Sequence, residues 1–475
     1  MHIITTSILP IACAASFLLP SAHLHADDAA ESQAKALGQS KQNHAAKNSH
    51  PDAQWFPAAG LGLFIHWGVI SPRASGDLSW CMLANKPWKD DTVTPNTYYA
   101  TLKSWNPDKM DYDSMLAAAK KAGFQYAVMV TKHHDGFTLW PSAHGDLGTK
   151  QHFKGRDFVQ EFINTCRKHD LKVGLYYSPP DWWFEREYKS FSYKGPALDM
   201  DHKPVTLPKR PADFEARRKA LIQGQVTELL KNYGKVDLFW FDGGKGEISN
   251  SVLRDLQPGI VINRRNGGNG DYGDSEVQLP KTRFSGWFET CATCWPSKKW
   301  AYTEEYGFDS APMALAKLVM LRAWGGNLLA NLGPKGDGSV PEPALQSWKA
   351  MGEWMAHSGE SVIGTQGGPW PEQANLPITN RNGAAYVHFF PSFPEIYPGN
   401  SGDGVKFAKT KDVMPMLPNN TASFVWKNAP KPSKALLLRT NAAVPFQFDD
   451  GTLTITLPAT MRSDNIDVVK LVLEK

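Results

Sequence analysis

Four largely apolar runs in the first two thirds of the chain each end abruptly in polar residues. Residues 124–137 have the sequence FQYAVMVTKHHDGF, and LGLFIHWG (61–68), VDLFWFDGG (236–244) and GIVINRR (259–265) follow the same plan. Short runs rich in β-branched and aromatic residues suit strands that are buried on both faces, as in parallel sheets. The polar residues would then lie at the carboxyl ends of the strands, where barrel enzymes place their chemistry.

Amphipathic stretches alternate with these runs. Residues 113–124, 156–170 and 212–234 carry apolar side chains at helical spacing, and further strand-like runs occupy 171–178 and 326–333. This alternation predicts an α/β fold, a (β/α)8-like barrel. A doubly wound sheet is the alternative, but no GxGxxG sequence opens a helix after the first strand.

The pattern changes after a helix predicted at 342–359. Short strand-like runs separated by turn residues follow, and Asp450-Gly451 is a good hairpin signal. The sequence therefore predicts a catalytic barrel at 53–360 and a C-terminal antiparallel β-sandwich at 361–475. The long aromatic and charged stretch 183–210 fits an insertion over the mouth of the barrel, since long loops of this kind are usually functional lids or disordered.

The N-terminus predicts export. Residues 3–20 are apolar and are followed by SAHLHADD, which is typical of a secretory signal peptide at 1–26 with cleavage near Ala26. Proline residues and the terminal position disfavour a retained membrane span. Residues 27–52 hold almost no large apolar side chains, so we expect a disordered linker there. The expected location is periplasmic or secreted.

Composition narrows the class of partner. The 475 residues include 51 basic and 47 acidic side chains, a formal net charge of +4, which argues against a nucleic acid partner. Cys291 and Cys294 have CxxC spacing, but no second pair stands at the spacing of a zinc site. A local disulfide or two free thiols both stay open for this pair.

Asp242 is the strongest candidate for chemistry. It follows a strand of apolar residues and precedes Gly243 and Gly244, whose lack of side chains would let a substrate approach closely. A carboxylate in such a place can act as nucleophile or general base. An aspartate that caps the next turn is an equally good interpretation from the residues alone.

His66, His133 and His134 raise a metal hypothesis, because imidazole is a common metal ligand. Adjacent strand residues point to opposite faces, so His133 and His134 cannot both face one site unless the backbone turns between them. We favour hydroxyl binding by neutral rings and expect no metal and no cofactor. A ring that points outward would be an ordinary core histidine.

Several of these motifs together resemble the α-L-fucosidases of glycoside hydrolase family 29. WFPAAGLGLFIHWGVIS, KHHDGF, VDLFWFDGG and GGNLLANLGPKGDG stand in the family's order between about Trp55 and Gly364. The resemblance implies a barrel followed by a β-sandwich, and a retaining hydrolase that removes terminal α-L-fucose from a fucosylated glycan or oligosaccharide. From the sequence we expect no membrane span, and a homo-oligomer stays open.

The resemblance also implies roles for particular residues. Asp242 is similar to the family nucleophile, which forms a covalent fucosyl intermediate. The residues that resemble sugar-binding positions are His66, Trp67, His133, His134, Arg265 and Trp300. For the general acid/base, Glu276 is favoured and Glu289 is the alternative, since sequence separation cannot decide which lies beside Asp242.

One departure from the family concerns specificity. Members usually carry Glu-Trp after the HWG motif, whereas this chain has Ser79-Trp80, and Asp77 is a candidate substitute. An α-L-galactosidase therefore stays open as a function, because a hydrophobic pocket rejects an added hydroxyl poorly. A carbohydrate-binding barrel without turnover and a metal-dependent hydrolase stay open as well.

Overall fold

The computed structural model describes residues 48–474 apart from 76, 88–91, 269, 295–298, 305–307 and 397–408. The predicted signal peptide and residues 27–47 of the predicted linker lie outside the described residues. Asn48 is buried and its side-chain amide donates to the carbonyl of Ile260 at 3.0 Å, so the end of the predicted linker packs on the folded chain. No helix in the described part is long and apolar enough to span a membrane.

Eight parallel strands form one sheet in the order β5-β4-β3-β2-β1-β8-β7-β6. Its outermost strands meet at a single bridge between Asn263 and Tyr272, which gives the sheet its curled, barrel-like form. The predicted (β/α)8-like barrel is confirmed. The strands are β1 (Leu61–Ile65), β2 (Tyr126–Lys132), β3 (Lys172–Tyr177), β4 (Leu238–Phe241), β5 (Val261–Ile262), β6 (Gly273–Glu276), β7 (Phe288–Ala292) and β8 (Asn327–Leu332).

The described residues contain ten α-helices, of which the first nine accompany these strands and the last lies in the C-terminal part. They are α1 (Phe56–Ala59), α2 (Pro95–Ala100), α3 (Tyr112–Lys121), α4 (Thr149–His152), α5 (Phe158–Lys168), α6 (Phe214–Lys231), α7 (Asn250–Leu256), α8 (Ala311–Arg322), α9 (Glu342–Ser358) and α10 (Thr410–Val413). The described residues between β5 and β6, and between β6 and β7, form no helix. That side of the barrel therefore consists of strands and loops only.

Alternation along the buried strands separates two layers of side chains. One set, including Phe64, Tyr126, Tyr176, Trp240 and Tyr272, forms a cluster inside the barrel. The neighbouring strand residues belong to a second cluster that also contains the apolar faces of the helices. Both faces of each strand are thus apolar, which explains why the sequence shows continuous apolar runs instead of an alternating pattern.

The C-terminal part contains the expected antiparallel sheets. A six-stranded sheet has the order β14-β13-β17-β11-β10-β9, and a three-stranded sheet has the order β12-β16-β15. Asp450 and Gly451 both have positive φ, 41° and 70°, as the predicted hairpin turn requires. The strands are β9 (Gln366–Gly367), β10 (Ile378–Arg381), β11 (Ala384–Phe389), β12 (Ser423–Trp426), β13 (Pro432–Leu437), β14 (Ala442–Ala443), β15 (Gln447–Asp449), β16 (Thr452–Thr456) and β17 (Asp467–Leu473).

The stretch 183–210 contains no helix or strand and packs beside the carboxyl ends of the barrel strands. The backbone of Ala84 donates to Phe191 O at 2.9 Å and accepts from Tyr193 N at 2.8 Å. These bonds join the stretch to the loop that follows the 3-10 helix Leu78–Met82. Ser79 and Trp80 lie on that 3-10 helix.

Candidate active site

Asp242 lies at the carboxyl end of β4, as the sequence predicts. Its Oδ1 accepts from Arg265 Nη1 at 2.8 Å, and its Oδ2 accepts from the Tyr176 hydroxyl at 2.9 Å. The side chain keeps 9% of its exposure. The carboxylate is therefore fixed in place, compensated by a positive charge, and still open to a substrate.

Gly243 follows Asp242 in a conformation that only glycine adopts easily. Its φ is 75°, and a Cβ at this position would lie 2.6 Å from Cε1 of His134. The glycine thus allows the chain to turn directly beneath a histidine ring. The sequence predicts room for a substrate at these glycines, whereas the close neighbour of Gly243 in the structure is this ring.

Arg265 connects three carboxylates. Besides Asp242, it donates from Nη2 to Glu276 Oε2 at 3.0 Å and from Nε to Asp274 Oδ2 at 2.7 Å. Arg264 donates to the other oxygen of Asp274 at 2.5 Å, so two guanidinium groups lower the pKa of Asp274 although burial opposes them. Asp274 is thereby a fixed anion that orients Arg265.

Glu276 is the last residue of β6 and shares Arg265 with Asp242. Its side chain is 17% exposed. Burial and the negative charge of Asp242 raise its pKa against the opposing effect of Arg265. A carboxyl group that keeps its proton beside an ionised one has the property that a general acid needs.

His133 and His134 both face this site, because β2 ends at Lys132 and the backbone then turns. Their ring centroids lie 4.2 Å apart. Burial lowers the pKa of His134 to about 3 and that of His133 well below its usual range. The backbone turn that two adjacent histidines need in order to face one site is therefore present. Both rings are neutral near pH 7.

His66 follows β1 at the same end of the barrel. It is 4% exposed, and burial lowers its pKa to about 3. Its ring lies 4.8 Å from the ring of Trp300, which is half-buried. His66 and Trp300 thus form one wall of the site, as the sequence suggests.

Three of these groups could hold a metal ion. One ligand atom each from His133, His134 and Asp242 lie within 4.8 Å of one another. Both oxygens of Asp242 already accept hydrogen bonds, one of them from the positive charge of Arg265. A cation here would therefore face electrostatic repulsion from Arg265, and neutral hydroxyl groups suit the site better.

Comparison with known proteins identifies the family of this chain. The model of the α-L-fucosidase family matches residues 28–360. The chain belongs to the α-L-fucosidase family of glycoside hydrolases. Bovine tissue α-L-fucosidase is 26% identical over 379 residues, which cover 72% of this chain and 75% of that protein.

Solved structures of α-L-fucosidases share the fold of this family member. α-L-Fucosidase isoenzyme 1 of Paenibacillus thiaminolyticus aligns with a TM-score of 0.73 and 27% identity, over 90% of this chain and 99% of that one. A Bacteroides thetaiotaomicron α-L-fucosidase, trapped as a covalent intermediate, aligns with a TM-score of 0.71 and 22% identity, over 91% of this chain and 98% of that one.

The structure separates the two glutamates that the fucosidase motifs suggest as acid/base. Glu289, on β7, is fully buried and accepts from the Tyr126 hydroxyl at 2.6 Å, Trp240 Nε1 at 3.1 Å and the Tyr272 hydroxyl at 3.2 Å. Burial raises its pKa to about 7. Glu289 lies in the aromatic interior of the barrel, whereas Glu276 lies beside Asp242.

Trp67 is not brought to the fucosidase site. Its indole N–H donates to Lys335 O at 2.9 Å, and its ring packs edge-on against Trp105 and Phe158. Trp67 is 2% exposed and belongs to the apolar cluster that contains the helix faces, not to the cluster inside the barrel. The sugar-binding role suggested for Trp67 is therefore not supported by its position.

Sequence reasoning missed several residues around the nucleophile candidate. Tyr176 donates to Asp242, and Asp274 orients Arg265. Strand alternation could have found Tyr176, because every second residue of a barrel strand faces the interior, where Tyr176 lies. Asp274 gave no such signal, because the four residues of β6 (GDSE) are polar or small and predict no strand.

Cys291 and Cys294, whose pairing the sequence left open, are both buried free thiols in the structure. Burial raises the pKa of Cys294 to about 12 and that of Cys291 above its usual range. Neither thiol is therefore an active nucleophile near neutral pH.

Proposed function

We propose that this family member is a retaining exo-α-L-fucosidase that acts through a covalent intermediate on Asp242. The observation that carries the proposal is the shared guanidinium: Arg265 donates to Asp242 at 2.8 Å and to Glu276 at 3.0 Å. Retaining glycosidases need two carboxyl groups close together, one as nucleophile and one as acid/base. The trapped intermediate of the Bacteroides fold relative supports the same chemistry.

In the first step, an Asp242 oxygen bonds to the anomeric carbon while the bond to the leaving oxygen breaks. Glu276 donates its proton to that oxygen, so the aglycone leaves as a neutral alcohol. Arg265 and the Tyr176 hydroxyl hold Asp242 in place, which lowers the entropic part of the barrier.

The second step uses the same pair in reverse. Once Asp242 is an ester, it has lost the negative charge that raises the pKa of Glu276. The pKa of Glu276 then falls, and its carboxylate can take a proton from water as the water attacks the anomeric carbon. Asp242 leaves as a carboxylate, and fucose is released with its original α configuration.

The decisive experiment follows the hydrolysis of p-nitrophenyl α-L-fucoside by NMR. Retention predicts that α-L-fucose appears first and mutarotates later, whereas early β-L-fucose would reject the proposal. Binding of L-fucose by calorimetry with no hydrolysis would instead support a carbohydrate-binding barrel. Loss of activity on treatment with a chelator would support a metal-dependent hydrolase.

Substrate choice and location extend the proposal. A panel of α1,2, α1,3, α1,4 and α1,6 fucosides, with an α-L-galactoside included, distinguishes a fucosidase from an α-L-galactosidase.

We also propose export, which rests on the apolar segment 3–20. N-terminal sequencing of the protein recovered outside the cytoplasm should show a start near Ala26.

A further inference from the structure

Ser79 is fully buried and makes two hydrogen bonds to the loop that follows β2. Its Oγ lies 2.8 Å from the backbone N of Asp135 and 2.6 Å from Nδ1 of His133. Ser79 lies more than fifty positions before these partners in the sequence. The contact is therefore a tertiary one, between the 3-10 helix Leu78–Met82 and the histidine pair.

The two bonds determine where the protons lie. A backbone N–H can only donate, so Oγ of Ser79 accepts from Asp135 and keeps its own proton for another partner. The oxygen could accept a second bond, but the buried hydroxyl proton also needs an acceptor, and Nδ1 of His133 is the one within reach among the described residues. The arrangement that satisfies this proton leaves Nδ1 unprotonated. Because burial keeps His133 neutral, its single proton is on Nε2.

Ser178 beside His134 shows the contrast. Its hydroxyl lies 2.5 Å from Nδ1 of His134, but it also donates to the carbonyl of Pro180 at 3.2 Å. The proton of Ser178 thus has a carbonyl acceptor besides the histidine. Among the described residues, His133 is the only hydrogen-bond acceptor of the Ser79 hydroxyl.

We propose that Ser79 is a positioning residue that fixes the proton of His133 on Nε2, so that this ring offers the site a hydrogen-bond donor. The consequence for substrate rests on the proposed function: an oxygen of the bound fucosyl group accepts from His133. The other tautomer would present a lone pair and would need a hydroxyl proton instead. Ser79 thereby sets the direction of the hydrogen bond between His133 and the sugar.

The tautomer can be measured directly in the wild-type protein. Histidine labelled with 15N, with the His133 signals assigned by their loss in His133→Gln, should show an unprotonated Nδ1 and a protonated Nε2. A protonated Nδ1 would overturn the proposal. This measurement needs no activity, so a wild type that fails to cleave fucosides would reject the proposed function and leave the result on Ser79 intact.

Variants then test the consequence. Ser79→Ala should lower kcat/KM by roughly 10- to 100-fold, mainly through KM, because the donor is no longer fixed. Ser79→Thr keeps the hydroxyl and should recover most of the loss. Ser361→Ala is the matched control, since it removes a buried serine–histidine contact of 3.2 Å, to His388, away from the carboxyl ends of the barrel strands.

The two variants must differ for the proposal to stand. Ser361→Ala should leave KM unchanged, whereas Ser79→Ala should also show a fraction of His133 protonated on Nδ1, because the tautomer is no longer fixed. A Ser79→Ala protein with the wild-type KM and the wild-type tautomer would overturn the assignment. Should Ser79→Ala fail to fold, the wild-type spectrum and Ser79→Thr still decide.

Discussion

The rim of the barrel and the aromatic layer inside it each contain a glutamate with a raised pKa, but their surroundings differ. Glu276 keeps 17% of its side-chain exposure and bonds to a guanidinium that also holds Asp242. Glu289 has no exposure and bonds to two phenols and an indole. A proton on Glu276 can reach a substrate, while a proton on Glu289 stays inside the protein.

A raised pKa therefore identifies a general acid only where the carboxyl group can also reach a substrate. Burial is the largest cause of the shift in both groups. For Glu276 the charge of Asp242 adds to it, so the shift depends on the state of the nucleophile. For Glu289 the hydrogen-bond partners are neutral donors, and the carboxyl group joins aromatic side chains from different parts of the barrel wall.

The largest effect is expected for Asp242→Ala at the rim. Loss of a nucleophile should lower kcat by about 10⁴-fold or more, measured with p-nitrophenyl α-L-fucoside. Added azide should restore turnover and give the β-fucosyl azide. Asp237→Asn, a buried aspartate at the other end of β4, is the control and should keep near-normal kcat. Full activity in Asp242→Ala would refute the mechanism.

Glu276→Gln should lower kcat by roughly 10²- to 10⁴-fold for natural fucosides, whose leaving groups need protonation. The loss should be smaller for p-nitrophenyl fucoside, because p-nitrophenolate leaves without a proton. Glu289→Gln is the matched control at the second position and should retain activity in the folded protein. If the two variants exchange these results, the acid/base is Glu289.

The interior glutamate, Glu289, should instead affect how the free energy of unfolding depends on pH. Burial raises the pKa of Glu289 from its ordinary 4.5 to about 7, so the folded state binds the proton more tightly than the unfolded state. This group therefore contributes full stability below pH 4.5 and loses it as the pH rises to about 7, by roughly 3 kcal/mol at most. The unfolding temperature should fall less between pH 5 and pH 8 in Glu289→Gln than in the wild type.

The smallest effects distinguish the two tryptophans. Trp300→Ala removes a ring that packs on His66, a loss of roughly 1 kcal/mol of contact that should raise KM about fivefold. Trp67→Phe should leave KM unchanged and lower stability by about 1 kcal/mol, since it removes the bond to Lys335 O. A raised KM in a stable Trp67→Phe protein would show that its position has been misjudged.

Strand and helix positions in the barrel were predictable wherever a segment is apolar enough to be buried on both faces. The runs ending at His66, Lys132 and Asp242 are strands, and their polar ends lie together at the rim. β6 and β7 were not predicted, because GDSE and FETCA lack a continuous apolar pattern. Their strand form depends on pairing with neighbours, which local sequence does not report.

The amino-acid sequence alone determined the fold class, because strands buried on both faces leave continuous apolar runs with polar ends. It also indicated the family and the nucleophile candidate, through motifs that resemble those of the α-L-fucosidases. Only the tertiary structure placed Glu276 beside Asp242 and Glu289 inside the barrel, packed Trp67 against Trp105 and Phe158, and placed Ser79 on His133. Each of these depends on distances between residues far apart in the chain. Such distances are set by how the strands pair around the barrel, and no local pattern encodes them.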